Sequence, residues 1–215
     1  TGTGSAGTIG HGLGTIPQFI ISKNRSIAAD FAVYTEASGN GYYLRLNTNA
    51  ARTSASSVWG DTTPTALSFT VGGANTKNNS SGNNFVSYCF TSVKGFSKIG
   101  QYNGNNNADG TFVYTGFKPA FILLKDTVRA QDWRAYDARR PGFNSLTSYA
   151  ARTNNSIKVN DTTVEQTNNQ IDILSNGFKF RSNDGDSNGY NEVHAYMAFA
   201  EHPFVSSNNV AATAR

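Results

Sequence analysis

The feature that most constrains this chain is that it matches itself. IPQFIISKN (16–24) matches KPAFILLKD (118–126), so Pro17 aligns with Pro119, Phe19 with Phe121, Ile20 with Ile122 and Lys23 with Lys125. The same offset pairs Phe31 with Trp133 and Tyr34 with Tyr136. Further on, ARTSASSVWGDTT (51–63) matches ARTNNSIKVNDTT (151–163), and FVSYCF (85–90) matches HAYMAF (194–199). Between them SFTV (68–71) matches GFKF (177–180), after an insertion around NNQIDIL in the second copy. An order kept throughout marks an internal repeat of about 100 residues. We therefore expect a first repeat over 1–101, a second over 102–204, and a polar linker or tail over 205–215.

Each copy carries about five short strand-like runs. In the first these are Gln18–Lys23, Phe31–Tyr34, Tyr43–Leu46, Leu67–Val71 and Phe85–Phe90. In the second they are Ala120–Lys125, Trp133–Tyr136, Gly177–Arg181 and His194–Ala200, with Ile171–Leu174 in the insertion. Tyr102 and Phe112–Tyr114 add edge strands. Pairs such as Phe19/Ile21 and Phe178/Phe180 alternate with polar residues, which suits sheets with one buried face. The chain has 21 Gly, 14 Phe and 10 Tyr, and only 15% of its residues are charged. Strand formers between Gly- and Asn-rich turns predict an all-β, antiparallel β-sandwich of jelly-roll or lectin-like kind. Whether the repeats form one sandwich or two stays open.

The opening TGTGSAG contains G-x-G-x-x-G at Gly2, Gly4 and Gly7, the glycine pattern of a dinucleotide site. No strand precedes it and no helix can follow it. The second copy keeps a Gly/Asn turn there but not the pattern, so we read a tight turn leading into a strand. The chain begins abruptly and reads as an excerpt of a longer one. Net charge is +4, which suits solubility, and no Lys/Arg run beyond Arg139-Arg140 suggests nucleic acid. The single Cys89 excludes an intramolecular disulfide framework. No apolar stretch approaches a membrane span.

Positions that are apolar in both copies serve the shared frame; Phe31/Trp133, Tyr34/Tyr136, Tyr43/Phe143 and Trp59/Val159 are read so. Residues that differ between the copies are better candidates for ligand binding: Tyr42, Arg139, Arg140, Tyr149 and Tyr190. SNDGDSNGYNE (182–192) spells D-x-D-x-N-G, the start of a calcium loop, with Asp184, Asp186, Asn188 and Glu192 as oxygen ligands. Its twelfth position is Ala195, not the expected Glu, and the alternative is a polar hairpin loop shaped by Asp and Asn. Calcium is thus an optional ligand, and no other cofactor is expected. No G-x-S-x-G elbow, zinc spacing or marked carboxylate pair nominates a catalytic site, so an enzyme is not expected.

The runs TGTGSAGTIGHGLGT, FIISKNRS, LNTNAA, FVSYCF, GFSKIGQYNG, DGTFVYTGFKPAFILLK, ILSNGFKFR and AYMAFAEHPF occur in that order. They resemble a repeat domain of uncharacterised function in tail-fibre and other structural proteins of tailed phages, marine ones especially. The resemblance covers nearly all of 1–204 and implies a virion-associated, lectin-like β module. It supplies no catalytic or ligand residues. The acidic loop at Asp184–Asp186 departs from its usual merely polar pattern. The expected function is a binding module of a phage tail fibre or appendage that recognises a host-surface glycan or protein. The alternatives are a structural spacer or decoration module, and a surface-polysaccharide depolymerase. A homo-oligomer, a trimer by analogy with fibres, is the expected assembly.

Overall fold

A computed structural model of the chain describes residues 1–140, 156–166 and 171–203. It is all-β with several antiparallel sheets and no barrel. The chain divides into two compact units, the first Thr1–Thr91 and the second starting at Ser92. The division falls ten residues before the boundary read from the repeat, between 101 and 102. The reason is a strand, Ser97–Asn103, that crosses that boundary and pairs wholly within the second unit.

In the first unit the strands are β1 (Gly7–Gly10), β2 (Phe19–Asn24), β3 (Ala32–Thr35), β4 (Tyr42–Arg45), β5 (Thr53–Ser54), β6 (Ser68–Val71) and β7 (Phe85–Phe90), with one turn of helix, α1 (Ser56–Trp59). They form a sheet in the order β5-β4-β3-β2-β7 and a ribbon β1-β6. Ile20, Tyr34 and Tyr43 from the sheet meet Phe69 and Val71 from the ribbon and Val58 and Trp59 from α1. Trp59 sits edge-on to Tyr34 at 5.9 Å and to Phe69 at 6.3 Å, the geometry that aromatic quadrupoles favour.

In the second unit the strands are β8 (Ser97–Asn103), β9 (Phe112–Tyr114), β10 (Pro119–Asp126), β11 (Arg134–Asp137), β12 (Ile157–Lys158), β13 (Ile171–Leu174), β14 (Gly177–Phe180) and β15 (Val193–Ala200), with a second helical turn, α2 (Gly185–Asn188). One sheet runs β12-β11-β10-β15-β8 and the other β13-β14-β9. Ile122, Leu124, Tyr136 and Tyr196 from the first pack on Val113, Ile173, Phe178 and Phe180 from the second.

The pairings of the two units run in step. Ile20 faces Tyr34 and Cys89, and Ile122 faces Tyr136 and Ala198. Asn24 faces Phe85, and Asp126 faces His194. The turns after β2 and β10 match as well. Asn24 Oδ1 accepts the amides of Ser26 (2.9 Å) and Ile27 (3.3 Å), and Asp126 Oδ1 those of Val128 (2.7 Å) and Arg129 (3.0 Å). These are Asx turns, in which a short side chain replaces the backbone acceptor. Two features differ: β13, from the inserted segment, widens the small sheet, and β8 lies outside β15.

Three expectations change. Gly7–Gly10 is a strand, not part of a turn, because it pairs with β6. The strands do not all keep one wet face, since Leu123, Lys125, Ala195 and Met197 are buried on the second face of β10 and β15. Val159, matched to the buried Trp59, is 42% exposed. Phe143 lies outside the described residues.

Candidate functional site

The glycine-rich opening is held by close backbone approach. A Cβ on Gly2 would lie 2.3 Å from the Ser80 carbonyl oxygen, and one on Gly104 would lie 1.9 Å from that of Gly189. Both approaches are too close for any side chain, so no phosphate is needed to explain either glycine. The Gly2 amide donates to Asn83 O (2.8 Å) and the Gly104 amide to Glu192 O (3.0 Å). One buried asparagine locks each crossing. Asn79 Oδ1 accepts the Thr3 amide (3.1 Å), and its amide nitrogen donates to Ser5 O (2.7 Å) and Gly72 O (2.6 Å). Asn188 Oδ1 accepts the Asn105 amide (3.1 Å), and its nitrogen faces Asn105 Oδ1, Asn107 O and Ser182 O, each at 2.9 Å.

The proposed calcium ligands therefore have separate neighbours. Asp184 caps α2 by accepting the Asp186 amide (2.9 Å), and burial, with Asp186 beside it, raises its carboxyl above the usual range. Asp186 Oδ2 accepts Arg134 Nε (2.8 Å) and Oδ1 accepts the Asp132 amide (3.0 Å). Asn188 is the clamp just described. Glu192 faces Asp126 and His194. In the first unit Asn75 accepts the amides of Lys77 and Asn78, each at 3.0 Å, so the same turn forms there with no acid. The D-x-D-x-N-G spacing is the spacing of a capped, clamped turn.

The sequence reading missed the cluster in which Glu192 sits. Asp126 and His194 are fully buried, and Glu192 is 4% exposed. Their ligating atoms lie within 4.8 Å of one another. The His194 ring nitrogen Nδ1 lies 3.1 Å from Glu192 O, and the imidazole stacks on Tyr102 at 4.9 Å. Asp126 Oδ2 and Glu192 Oε2 are buried without a hydrogen-bond donor, while Arg129 pairs with Glu192 from its exposed side. Burial and the Asp126 carboxylate push the Glu192 carboxyl up to about 7, against the pull of Arg129. Burial likewise holds His194 below its ordinary value and takes Lys125 down to about 8. A proton shared by the two carboxyls satisfies both buried oxygens. Two oxygens and one imidazole nitrogen are also a donor set for a divalent cation. The first unit has Asn24, Asn83 and Phe85 at the three places, all neutral. That asymmetry was visible in the aligned repeats; what was not visible is that Glu192 folds back onto the other two.

The proposed ligand-binding residues do not form one patch. Tyr42, in the first unit, lies under the Arg52 guanidinium at 4.5 Å. Arg139 and Arg140 follow β11, where Asp137 pairs with Phe121. Arg139 stands 78% exposed, 3.6 Å from Glu201, and Arg140 pairs with Glu165. Tyr190, 65% exposed, lies before β15, where His194 pairs with Asp126. Phe121 and Asp126 are five residues apart along β10, so Tyr190 and the arginines sit at opposite ends of the sheet, roughly 16 Å of strand apart. Tyr149 lies outside the described residues. Asp132, before β11, is also engaged, binding Lys158 (2.6 Å) and Asn160 (2.8 Å). Both tryptophans are buried and unavailable for stacking on a sugar.

The first unit holds a cavity of about 500 Å³. Its walls are Phe69 and Val71 of β6, Phe85, Ser87 and Cys89 of β7, β1, and the Asn78–Asn79 turn. Burial raises the Cys89 thiol to about 11.

Comparison with curated proteins and with solved structures finds no match. Over residues 1–203 the chain belongs to the family described as a domain of unknown function (DUF7483).

Proposed function

We propose that the chain is a non-catalytic binding module of a tailed-phage virion, carried on a tail fibre or similar appendage, that recognises a host-surface glycan or protein. The observation that carries the reading is Tyr190. Its ring is 65% exposed, yet its loop is anchored on one side by the Asn188 clamp and on the other by the Asn191 amide on Gly104 O (2.9 Å). An aromatic ring held out on a rigid loop loses little entropy when it stacks on a sugar or an apolar surface. The matching position of the first unit is Ser81, so the feature belongs to one unit and not to the shared frame. The finer architecture proposed is a lectin-like two-layer unit present as two homologous repeats; the matched registers and matched clamps support it. The resemblance to phage structural proteins supports the virion setting and a homo-oligomer, with a trimer as the proposed form.

The test is binding of the purified chain to candidate host cells and to a glycan array, with calcium and with chelator. Saturable binding that Tyr190→Ala abolishes supports the reading. Absence of binding from the folded, assembled chain overturns it and leaves the spacer role, which the shared frame alone would serve. Loss of binding only with chelator would assign a cation role.

A further inference from the structure

Asp126, Glu192 and His194 each have one polar atom held by the frame and one left over. Asp126 Oδ1 accepts the Val128 and Arg129 amides that close the Asx turn after β10, while Oδ2 meets no donor. The first unit shows that the turn needs only one oxygen. There Asn24 closes it with Oδ1 and donates its nitrogen to Thr76 O (2.9 Å). His194 Nδ1 lies 3.1 Å from Glu192 O, an acceptor that favours the tautomer with its lone pair on Nε2. Nε2 is close to the Gly185 backbone but meets no partner at hydrogen-bonding geometry. Glu192 pairs with Arg129 on its exposed side, and its Oε2 is buried with no donor. A Cβ on Gly189 would overlap that oxygen, and the three nearest atoms it would meet all belong to Glu192. Gly189 has φ −59° and ψ 150°, a backbone any residue adopts, so alanine there asks only the carboxylate to move.

We propose that Asp126 Oδ2, Glu192 Oε2 and His194 Nε2 hold a divalent transition-metal ion, zinc, with water in the remaining position. Three residues whose ligating atoms lie within 4.8 Å of one another match the three protein ligands of an open zinc site. The imidazole selects zinc over calcium, which takes six to eight oxygens. Two carboxylates balance the charge of the ion, the condition under which a charge is tolerated in a buried place. The ion would replace the proton that the two carboxyls otherwise share. The outer partners are also in place. The Asp126 amide contacts and the His194 contact to Glu192 O orient the ligands, the part that second-layer groups play at metal sites. Arg129, whose side chain is 64% exposed, covers Glu192 and marks the way in. The ion would join the end of β10 to the start of β15 and to the turn before it. This inference does not depend on the host-surface reading.

The test strips the 215-residue chain with EDTA and titrates zinc chloride against a chromophoric chelator. One zinc should bind per chain. Thermal unfolding read by Trp133 in a Trp59→Phe background should move up by roughly 5–10 °C at about 100-fold excess over the dissociation constant. Asp126→Asn, Glu192→Asn and His194→Phe place the first unit's residues at the three positions, where the frame already tolerates them. Each should weaken zinc about 100-fold or more, and Gly189→Ala about tenfold or more. Zinc should also shift the imidazole ¹⁵N signals of one of the chain's three histidines, the one missing from His194→Phe. The Gly189→Ala variant and the imidazole shift decide the matter even where a ligand variant fails to fold. Failure of the folded natural chain to bind zinc overturns the site. So does zinc binding that survives His194→Phe, which would place the metal on His11 or His202. Tighter binding of calcium than of zinc overturns the donor assignment. Loss of binding in Asp184→Asn but not in Asp126→Asn overturns it too, returning the ion to the D-x-D-x-N-G turn.

Discussion

The two units build one frame with opposite interiors at a handful of matched positions. The first unit has Asn24, Ala32, Lys77, Asn83 and Phe85 where the second has Asp126, Arg134, Asp186, Glu192 and His194. In the first, Asn24 satisfies itself with neutral partners, donating to Thr76 O (2.9 Å), and Ala32 is fully buried. In the second the same places hold a buried ion pair, Arg134–Asp186, and a buried acid pair beside an imidazole. The frame does not require buried charge at these positions: in the first unit four of the five are neutral and Lys77 is only half-buried. Once one charge is buried, though, desolvation demands that every partner be present. The comparison separates what holds the fold from what one unit has added to it.

The largest effect expected is from removing Arg134. Arg134→Ala leaves Asp186 buried and unpaired, which costs about 3–5 kcal/mol. Adding Asp186→Ala should recover part of the loss. Urea unfolding followed by Trp133 fluorescence in a Trp59→Phe background reads this. A loss no larger than that of an exposed-site substitution would mean the ion pair is a replaceable ornament.

Next come the clamps. Asn79→Ala and Asn188→Ala each strand several buried backbone groups and should each cost about 2–4 kcal/mol, by comparable amounts. Single-tryptophan variants report them separately, through Trp59 and Trp133. A cost in one unit only would break the equivalence of the two crossings.

The pH dependence sharpens the comparison further. The Glu192 carboxyl rises from 4.5 to about 7 in the folded chain, so folding favours its protonated form. Its contribution is complete below pH 4.5 and is lost as pH rises through 7. His194 works the other way: burial lowers its value, so its neutral form is favoured and stability falls as pH drops below its unfolded value near 6.5. Asp126, Arg129 and Lys125 complete the charged surroundings. The difference in unfolding free energy between the natural chain and Glu192→Gln isolates Glu192. It should shift against the natural chain by about 1–3 kcal/mol between pH 5 and 8. A flat difference would mean the carboxyl is not held protonated. No such pH term is expected from Asn24, Asn83 and Phe85.

The smallest effect on stability is expected at Tyr190. Tyr190→Ala should change it by no more than about 0.5 kcal/mol, while removing binding to the host surface. A larger loss of stability would make the ring structural and remove the observation on which the functional proposal rests.

Much of the frame was legible in advance because it follows from local pattern. Ile171–Leu174, Phe85–Phe90 and Phe112–Tyr114 were placed at their observed bounds, and the other expected strands fell within a residue, except at Tyr102, where the observed strand runs from Ser97 to Asn103. Alternation and turn residues suffice for that. Two-residue strands such as β5 and the single turns α1 and α2 were not legible, since tertiary pairing makes them and propensity does not. Gly7–Gly10 reads as a turn by composition and becomes a strand only because β6 lies beside it. The candidate site was legible in part: the D-x-D-x-N-G spacing pointed to Glu192 and to the Asp184–Asn188 turn. Its meaning was not, because a motif along the chain lists oxygen atoms without saying which way they face.

By itself, then, the sequence determined the strands and the all-β class, since each rests on the spacing of apolar and turn residues along the chain. Only the tertiary structure decided that Asp186 faces Arg134, that Asn188 clamps the Gly104 crossing, and that Glu192 joins Asp126 and His194. Those outcomes depend on burial and on distances across strands. Residues 66 and 68 positions apart share one desolvated space, and there the cost of an unpaired charge, more than any local preference, chooses its partners.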